Sequence, residues 1–498
     1  MSAAPETLKG KVVGGIAWNV VTQVVTQVSR IALGVVLARL LTPREFGLAG
    51  MALVFTNLLA LFTDLSLGAA LIQRPEVTEE DRSTVFWVTV SIGVAFSAGG
   101  VAASGLVAGF YGRPAVGPLF AVLSLGFVLN ALSATQTALA TRDFAYRRLQ
   151  IREMSSVVMG TVAGIVAAAA GLGAWAIVVQ SIAVAATSAV LIWTLSSWRP
   201  RFMFSAQSLR DLGGFGSKLF ASRLLAYANL NGDNLLVGRF LGSRALGVYS
   251  LAYNVMFTPM VRIGLPLQQV VFPAYSRLQN EPERLRAVWL RSKRLSAAVL
   301  APAFLAFLVV APDLVPVVFG QKWHQAIAVL QLLCVAGVAH SLVTLNWSVL
   351  QARGQAGVLF RLNVLNTVII VGGFALGLHW GVAGVAGCYA AARWLLVLPD
   401  MWVTGRSVHM GPIAALRSSG VAVPLAAAAA LLAFGLRAAL VAEGLPAALR
   451  LVVVLAVGAL AYVGLVALAA PDIVRELRGL RSSLARGGGV GPTADGPA

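Results

Sequence analysis

Seven ionisable residues fall inside apolar runs long enough to cross a bilayer: Arg30, Asp64, Arg223, Asp233, Arg262, Arg393 and Asp400. Placing a charge at mid-bilayer costs ~2.5–3.5 kcal/mol even on the most lenient scale, so such residues face a bundle interior or an aqueous cavity unless they can snorkel to a helix end. Counting ~1.5 Å per residue from the entry of each run puts Arg223 and Arg393 ~14–18 Å deep, where snorkelling is hardest. A guanidinium there stays charged and binds phosphate oxygens in bidentate fashion. Asn231 and Asn234, with Asn229, Gln23 and Gln27 nearby, suit sugar hydroxyls, and interhelical amide bonds account for them equally well. The substrate-binding candidates are therefore Arg30, Arg223, Arg393, Asn231 and Asn234. The gating or ion-coupling candidates are Asp64, Asp233, Arg262 and Asp400, the aspartates being possible proton or sodium sites.

Two of these charges are related by an internal repeat. The segment ARLLTPREFG (38–47) lies on GRFLGSRALG (238–247) at an offset of 200, pairing Arg39 with Arg239, Leu41 with Leu241, Arg44 with Arg244 and Gly47 with Gly247. In that frame Arg30 and Asp233 fall three positions apart, close to one helical turn and hence on one face. Opposite charges on equivalent helices could meet as an outer gate. Asp64 and Arg262 invite the same idea at the inner end but fall two positions apart, on opposing faces.

Other chemistries find little support. There is no nucleophile elbow, P-loop, paired-histidine helix or acidic pair. Two cysteines, Cys334 and Cys388, and four scattered histidines suggest neither a disulfide framework nor a zinc site. No catalytic, cofactor-binding or metal-binding residue is expected. The formal charge of +19 raises nucleic-acid binding, but the basic residues are spread through loops, where they set membrane topology.

The elements that must position these residues are membrane helices. Of 498 residues 58% are hydrophobic and 11% charged, which no soluble domain could bury, and mean hydropathy is +0.83. The apolar runs are continuous and rich in Leu, Ala and Val rather than alternating, which selects helices over a barrel. Fourteen candidate spans lie between residues 13 and 470, the first too long for a signal-peptide core and expected to be retained. With both termini inside, 26 of the 38 Lys and Arg fall in inside segments, 8 outside and 4 within spans, which places both termini in the cytoplasm. A second match, at an offset of 211, pairs Arg142 with Arg353 and Gly173 with Gly384. The fold expected is an all-α integral membrane protein of about 14 transmembrane helices: two pseudo-symmetric six-helix lobes (1–200 and 201–410), two extra helices (411–472) and a disordered cytoplasmic tail (473–498). Parallel repeats of this kind are a transporter plan, with the substrate site between the halves.

GGIAWN (14–19), LARLLTPREFGLAGMA (37–52), TRDFAYRRL (141–149) and GDNLLVGRFLGSRALGVYSLAYN (232–254) resemble the Wzx-type polysaccharide flippases. These belong to a superfamily that also holds the lipid II flippases and the multidrug and toxin extruders. The resemblance implies a V-shaped pair of six-helix lobes working by alternating access in the bacterial inner membrane. It also implies a substrate, an undecaprenyl-pyrophosphate-linked oligosaccharide moved from the cytoplasmic to the periplasmic leaflet. The family's cationic cavity would match Arg30, Arg223 and Arg393. A monomer is expected, with association with other polysaccharide-assembly proteins left open. Within the superfamily a multidrug or cation antiporter is the alternative. It would favour acidic cavity residues, whereas this chain sets four intramembrane arginines against three aspartates, or four with Asp313. From a different class, a membrane glycan polymerase or ligase would need larger outer loops than these.

Overall fold

The computed structural model describes residues 8–63, 68, 71–72, 74, 76–207, 216–417, 421–472 and 475, with side chains from residue 22 onward except at 62–63, 216–226, 228–230 and 417. Every regular element among them is helical. In chain order the long helices are α1 (Leu8–Leu40), α2 (Pro43–Thr63), α3 (Glu79–Ala102), α4 (Val116–Arg142), α5 (Tyr146–Ala169) and α6 (Trp175–Leu195). They continue with α7 (216–241), α8 (243–277), α9 (Pro282–Leu314), α10 (Ala326–Ala352), α11 (Ala356–Gly377), α12 (Gly381–Ser407), α13 (Ala422–Ala442) and α14 (Ala447–Ala469). Twelve stretches are long and apolar enough to cross a membrane, and two of them, Asn231–Arg277 and Ala356–Ser407, run 47 and 52 residues. A crossing takes about 20 residues, so each of those two holds a pair, and fourteen membrane helices result.

Where each pair divides is set by backbone chemistry. Gly242 breaks the run from α7 to α8 at φ 84° and ψ 179°, a conformation open only to glycine. The chain reverses there, since Ser250 Oγ donates to Asn234 Oδ1 at 3.1 Å across 16 residues that a straight helix would spread over ~24 Å. In the other pair the reversal follows a 3₁₀ turn, Leu378–Trp380, with Gly381 at φ 71°. Phe374 and Tyr389 stack across it at 5.5 Å.

The chain forms two compact units, Met1–Ser250 and Leu251–Ala498, so contacts divide it within α8. In the first unit α5 packs along α6 and α1, while α4 packs on α3, α2 and α6. Small residues allow this: a Cβ on Gly160 would meet the Gln180 carbonyl at 3.0 Å, and one on Gly93 the Phe127 carbonyl at 3.0 Å. In lipid, where burying apolar surface gains little, such close backbone approach is a main source of helix association.

In the second unit α10 packs between α9 and α12, α11 packs on α12, and α13 and α14 pack on each other and on α9. A charge clip holds the last pair. Asp313 on α9, 1% exposed, accepts from Arg437 Nε of α13 at 2.6 Å and from Arg450 Nη2 of α14 at 2.6 Å. Tyr462 of α14 adds a further bond to α9, its hydroxyl donating to the Ala298 carbonyl at 2.7 Å. Asp313→Asn leaves two partly buried guanidiniums without their counter-ion, a loss on the order of 3–5 kcal/mol. The expected result is a lowered thermal midpoint in detergent and new protease cleavage in the turn at 443–446. An unchanged midpoint and an uncut turn would show that the clip does not hold α13 and α14.

Two turns carry the second repeat. The α4–α5 and α10–α11 turns each place one residue in the left-handed region, Phe144 at φ 53° and Gly354 at φ 65°. Their separation of 210 residues is one less than the sequence match suggests. Behind them an arginine ties the turn to backbone carbonyls: Arg142 Nη1 donates to those of Leu71 (3.0 Å) and Arg74 (2.5 Å), and Arg353 Nη1 to that of Ser407.

Candidate functional site

In the first unit the repeat is expressed as a reciprocal contact. A Cβ on Gly47 would fall against the Ser243 carbonyl oxygen, and one on Gly247 against the Pro43 carbonyl oxygen. Those same Cβ positions would lie 2.9 Å from the Gly247 nitrogen and 3.1 Å from the Gly47 nitrogen. Pro43 and Ser243, like Gly47 and Gly247, are 200 residues apart, so equivalent backbone meets equivalent backbone about a local two-fold axis. Both turns start their helices differently. Thr42 and Glu45 cap α2 reciprocally, with Thr42 N donating to Glu45 Oε2 at 2.7 Å and Glu45 N to Thr42 Oγ1 at 3.3 Å, whereas Gly242 does the work by conformation alone. Arg239 lies over the Phe110 ring at 5.7 Å, consistent with a turn-shaping role.

Below this turn sit the polar residues of α7. Asp233, 1% exposed, accepts from the Asn234 backbone N–H at 2.7 Å, and the buried Tyr249 phenol is directed at its carboxylate. Asn231 Nδ2 donates to the Tyr227 carbonyl at 3.3 Å, and the Tyr227 hydroxyl donates to the Val54 carbonyl of α2. Asn234 is occupied by Ser250. Asn231 and Asn234 thus join α7 to itself and to α8, a packing use of amides rather than an open binding surface.

Arg30 and Asp233 are not paired in this structure. Arg30 instead faces Glu153 of α5, Nη2 to Oε1 at 4.0 Å. The reason is which helix neighbours α1: its Arg30 face packs on α5, a pairing that equivalence between α1 and α7 does not encode. Asp64 and the side chain of Arg223 lie outside the described residues. Arg262 is exposed within a π-helical turn, Met260–Gly264. Pro266 lacks an N–H and its ring opposes the carbonyl four residues back, that of Arg262, which widens the helix at this point.

The second unit brings two predicted residues into one cluster. Arg393 of α12 meets His340 of α10, Nη2 to Nδ1 at 2.5 Å, while its Nε is buried without a partner among the described residues. Seven residues on, two turns along the same face, Asp400 is 1% exposed, accepts from Asn366 Nδ2 of α11 at 3.4 Å and feels the Arg393 charge. Sequence reasoning missed Lys293, which is 1% exposed on α9. Its ammonium donates to the Ala415 carbonyl, lies 3.0 Å from Met401 Sδ and sits 5.4 Å from the Trp289 ring centre. A lysine in a run of loop-like basic residues gives no such signal; its one hint is the spacing Leu285–Trp289–Lys293–Ala297, a single face at every fourth residue. The unit's interior therefore carries three ionisable side chains, Arg393 and Asp400 of α12 and Lys293 of α9. Among the described residues no group of three His, Cys, Asp or Glu could hold a metal.

Known proteins agree with this architecture. The chain is similar to the lipopolysaccharide biosynthesis protein WzxC of Escherichia coli (strain K12), 29% identical over 373 residues that cover 74% of this chain and 76% of the relative. It is similar to the teichuronic acid biosynthesis protein TuaB of Bacillus subtilis (strain 168), 27% identical over 474 residues, 94% of this chain and 97% of the relative. Its fold is shared with the lipid II flippase MurJ in an inward closed conformation, at a TM-score of 0.72 and 12% identity over 91% of this chain and 100% of that chain. Residues 36–328, more than half of the sequence, match the family described as polysaccharide biosynthesis protein, and the chain belongs to that family.

Proposed function

We propose that this multi-pass membrane protein is a flippase for a lipid-linked oligosaccharide, moving an undecaprenyl-pyrophosphate-linked glycan unit from the cytoplasmic to the periplasmic leaflet by alternating access. The observation that carries the chemistry is Arg393 in the second unit, whose Nε is buried without a partner among the described residues. A guanidinium with donors to spare in a low-dielectric interior suits a pyrophosphate better than a cationic drug. Family membership supports a polysaccharide role, the names of the relatives supply the pathway class, and the MurJ-like fold supports transport over catalysis. Under this reading the two six-helix lobes are residues 1–200 and 201–410, and the excess of basic loops places both termini in the cytoplasm of a bacterial inner membrane.

The test is the sidedness of the lipid-linked intermediate in cells lacking the gene. A flippase loss leaves single repeat units on the cytoplasmic face. Units accumulating on the outer face would make the protein a polymerase or ligase instead, and unchanged glycans would favour an extruder.

A further inference from the structure

The basic ends of α11 and α12 enclose a pocket of about 450 Å³ whose wall includes Gln355, Arg361, Leu362, Leu365, Trp402 and Arg406. Arg406 lies over the Trp402 ring, its Cζ 4.2 Å from the ring centre, a cation–π contact that holds the guanidinium without using its N–H donors. Arg361 is tethered through Nε to the Gly357 carbonyl at 3.3 Å, which leaves both terminal nitrogens available. Among the described residues neither arginine has a carboxylate within salt-bridge distance, and both are exposed. Leu362, 3% exposed, and Leu365, 42% exposed, line the pocket on the face of α11 that leads away from its charged end, so its apolar wall opens to the bilayer at Leu365.

The fold does not require these cations. The corresponding hairpin of the first unit, α5 with α6, is built on the same turn, yet Ile151 stands 210 residues before Arg361 and Leu195 stands 211 before Arg406. The arginine that both turns do use structurally is a different one, Arg142 in the first and Arg353 in the second.

We propose that this pocket binds the phosphate of an anionic amphiphile from the adjoining leaflet, with the phosphate between Arg361 and Arg406, the head group against Trp402 and the chain along Leu362 and Leu365. The shared chemistry, a phosphate on a hydrocarbon chain, has two sources: bulk anionic phospholipid, or a polyprenyl pyrophosphate carrier. The second source rests on the proposed flippase function and the first does not.

Purified full-length protein in a neutral detergent would be titrated with dioleoyl phosphatidylglycerol, dioleoyl phosphatidylcholine and undecaprenyl pyrophosphate, with binding read by native mass spectrometry. Wild type is expected to bind phosphatidylglycerol more tightly than the zwitterionic lipid, and Arg361→Gln with Arg406→Gln to weaken phosphatidylglycerol binding by about tenfold or more. Arg361→Lys with Arg406→Lys keeps the charge but loses bidentate bonding and ring stacking, and should fall between. A preference of at least about tenfold for the pyrophosphate over phosphatidylglycerol assigns the site to the carrier, and equal affinity with mutual competition assigns it to bulk lipid. Unchanged binding of both in the double glutamine variant, at an unchanged thermal midpoint, overturns the site and leaves the two arginines as interfacial anchors.

Discussion

Arg393→Leu is expected to abolish glycan export, and combining it with Asp400→Asn is expected to restore folding but not export. Arg393 and Asp400 make no ion pair within 4 Å, but removing the arginine takes a positive charge from the same helix face as the Asp400 carboxylate, which is 1% exposed and accepts from the Asn366 amide at 3.4 Å. A buried carboxylate that loses a nearby positive charge is destabilised, so the single variant should melt at a lower temperature and accumulate less in the membrane. Neutralising Asp400 removes that penalty. What the double variant cannot replace is the guanidinium itself, and losing a charged partner to a phosphate costs about 2–5 kcal/mol, roughly 30-fold to several thousand-fold in affinity. The two measurements are the thermal midpoint in detergent and the amount of surface glycan. If the double variant exports at wild-type rate, Arg393 serves only to offset the Asp400 charge, and this cluster is not the substrate site.

That cluster also shows what sequence can and cannot disclose. Arg393 and Asp400 were legible because each is a charge inside an apolar run, and the cost of that placement marks it. Their partners His340 and Asn366 carry no such mark: a lone imidazole and a lone amide reach significance only when α10 and α11 are placed beside α12. Glu153 and Lys293 were missed for a common reason. Read by hydropathy, an apolar run begins after its last charge, at 154 and 295, whereas the helices begin at Tyr146 and Pro282. Both charges therefore ride on membrane helices, Lys293 fully buried and Glu153 facing Arg30. The number of helices is unaffected by this, because hydropathy runs and the breaks between them count crossings even where two helices follow each other without a loop, as at Gly242 and Gly381. Arg30 meets Glu153 here rather than Asp233, a neighbour that periodicity does not give, since it sets the face of a helix but not which helix that face meets.

The repeat itself yields the remaining large effect. A Cβ on Gly50 would lie 3.9 Å from Leu246 Cγ and 3.6 Å from its Cδ2, ordinary contact distances beside the tighter apposition of Gly47 and Gly247. Cysteines at both positions, Gly50→Cys and Leu246→Cys, would bring two thiols to this contact, and a disulfide between them would fasten the start of α2 to the start of α8. The native Cys334 and Cys388 would first be replaced by alanine, Cys334 being buried and neither being disulfide-bonded. Under alternating access, equivalent turns that meet backbone to backbone must separate for the opposite face to open, because contact without intervening side chains leaves no space for a glycan to pass. Oxidation is therefore expected to stop export nearly completely and reductant to restore it, with the single cysteine variants insensitive to both. The cross-link would be scored by the shift of the oxidised protein on a non-reducing gel after protease cleavage between the two sites. Full cross-linking with undiminished export would mean that this contact persists through the cycle, and that the moving boundary lies elsewhere in the helices.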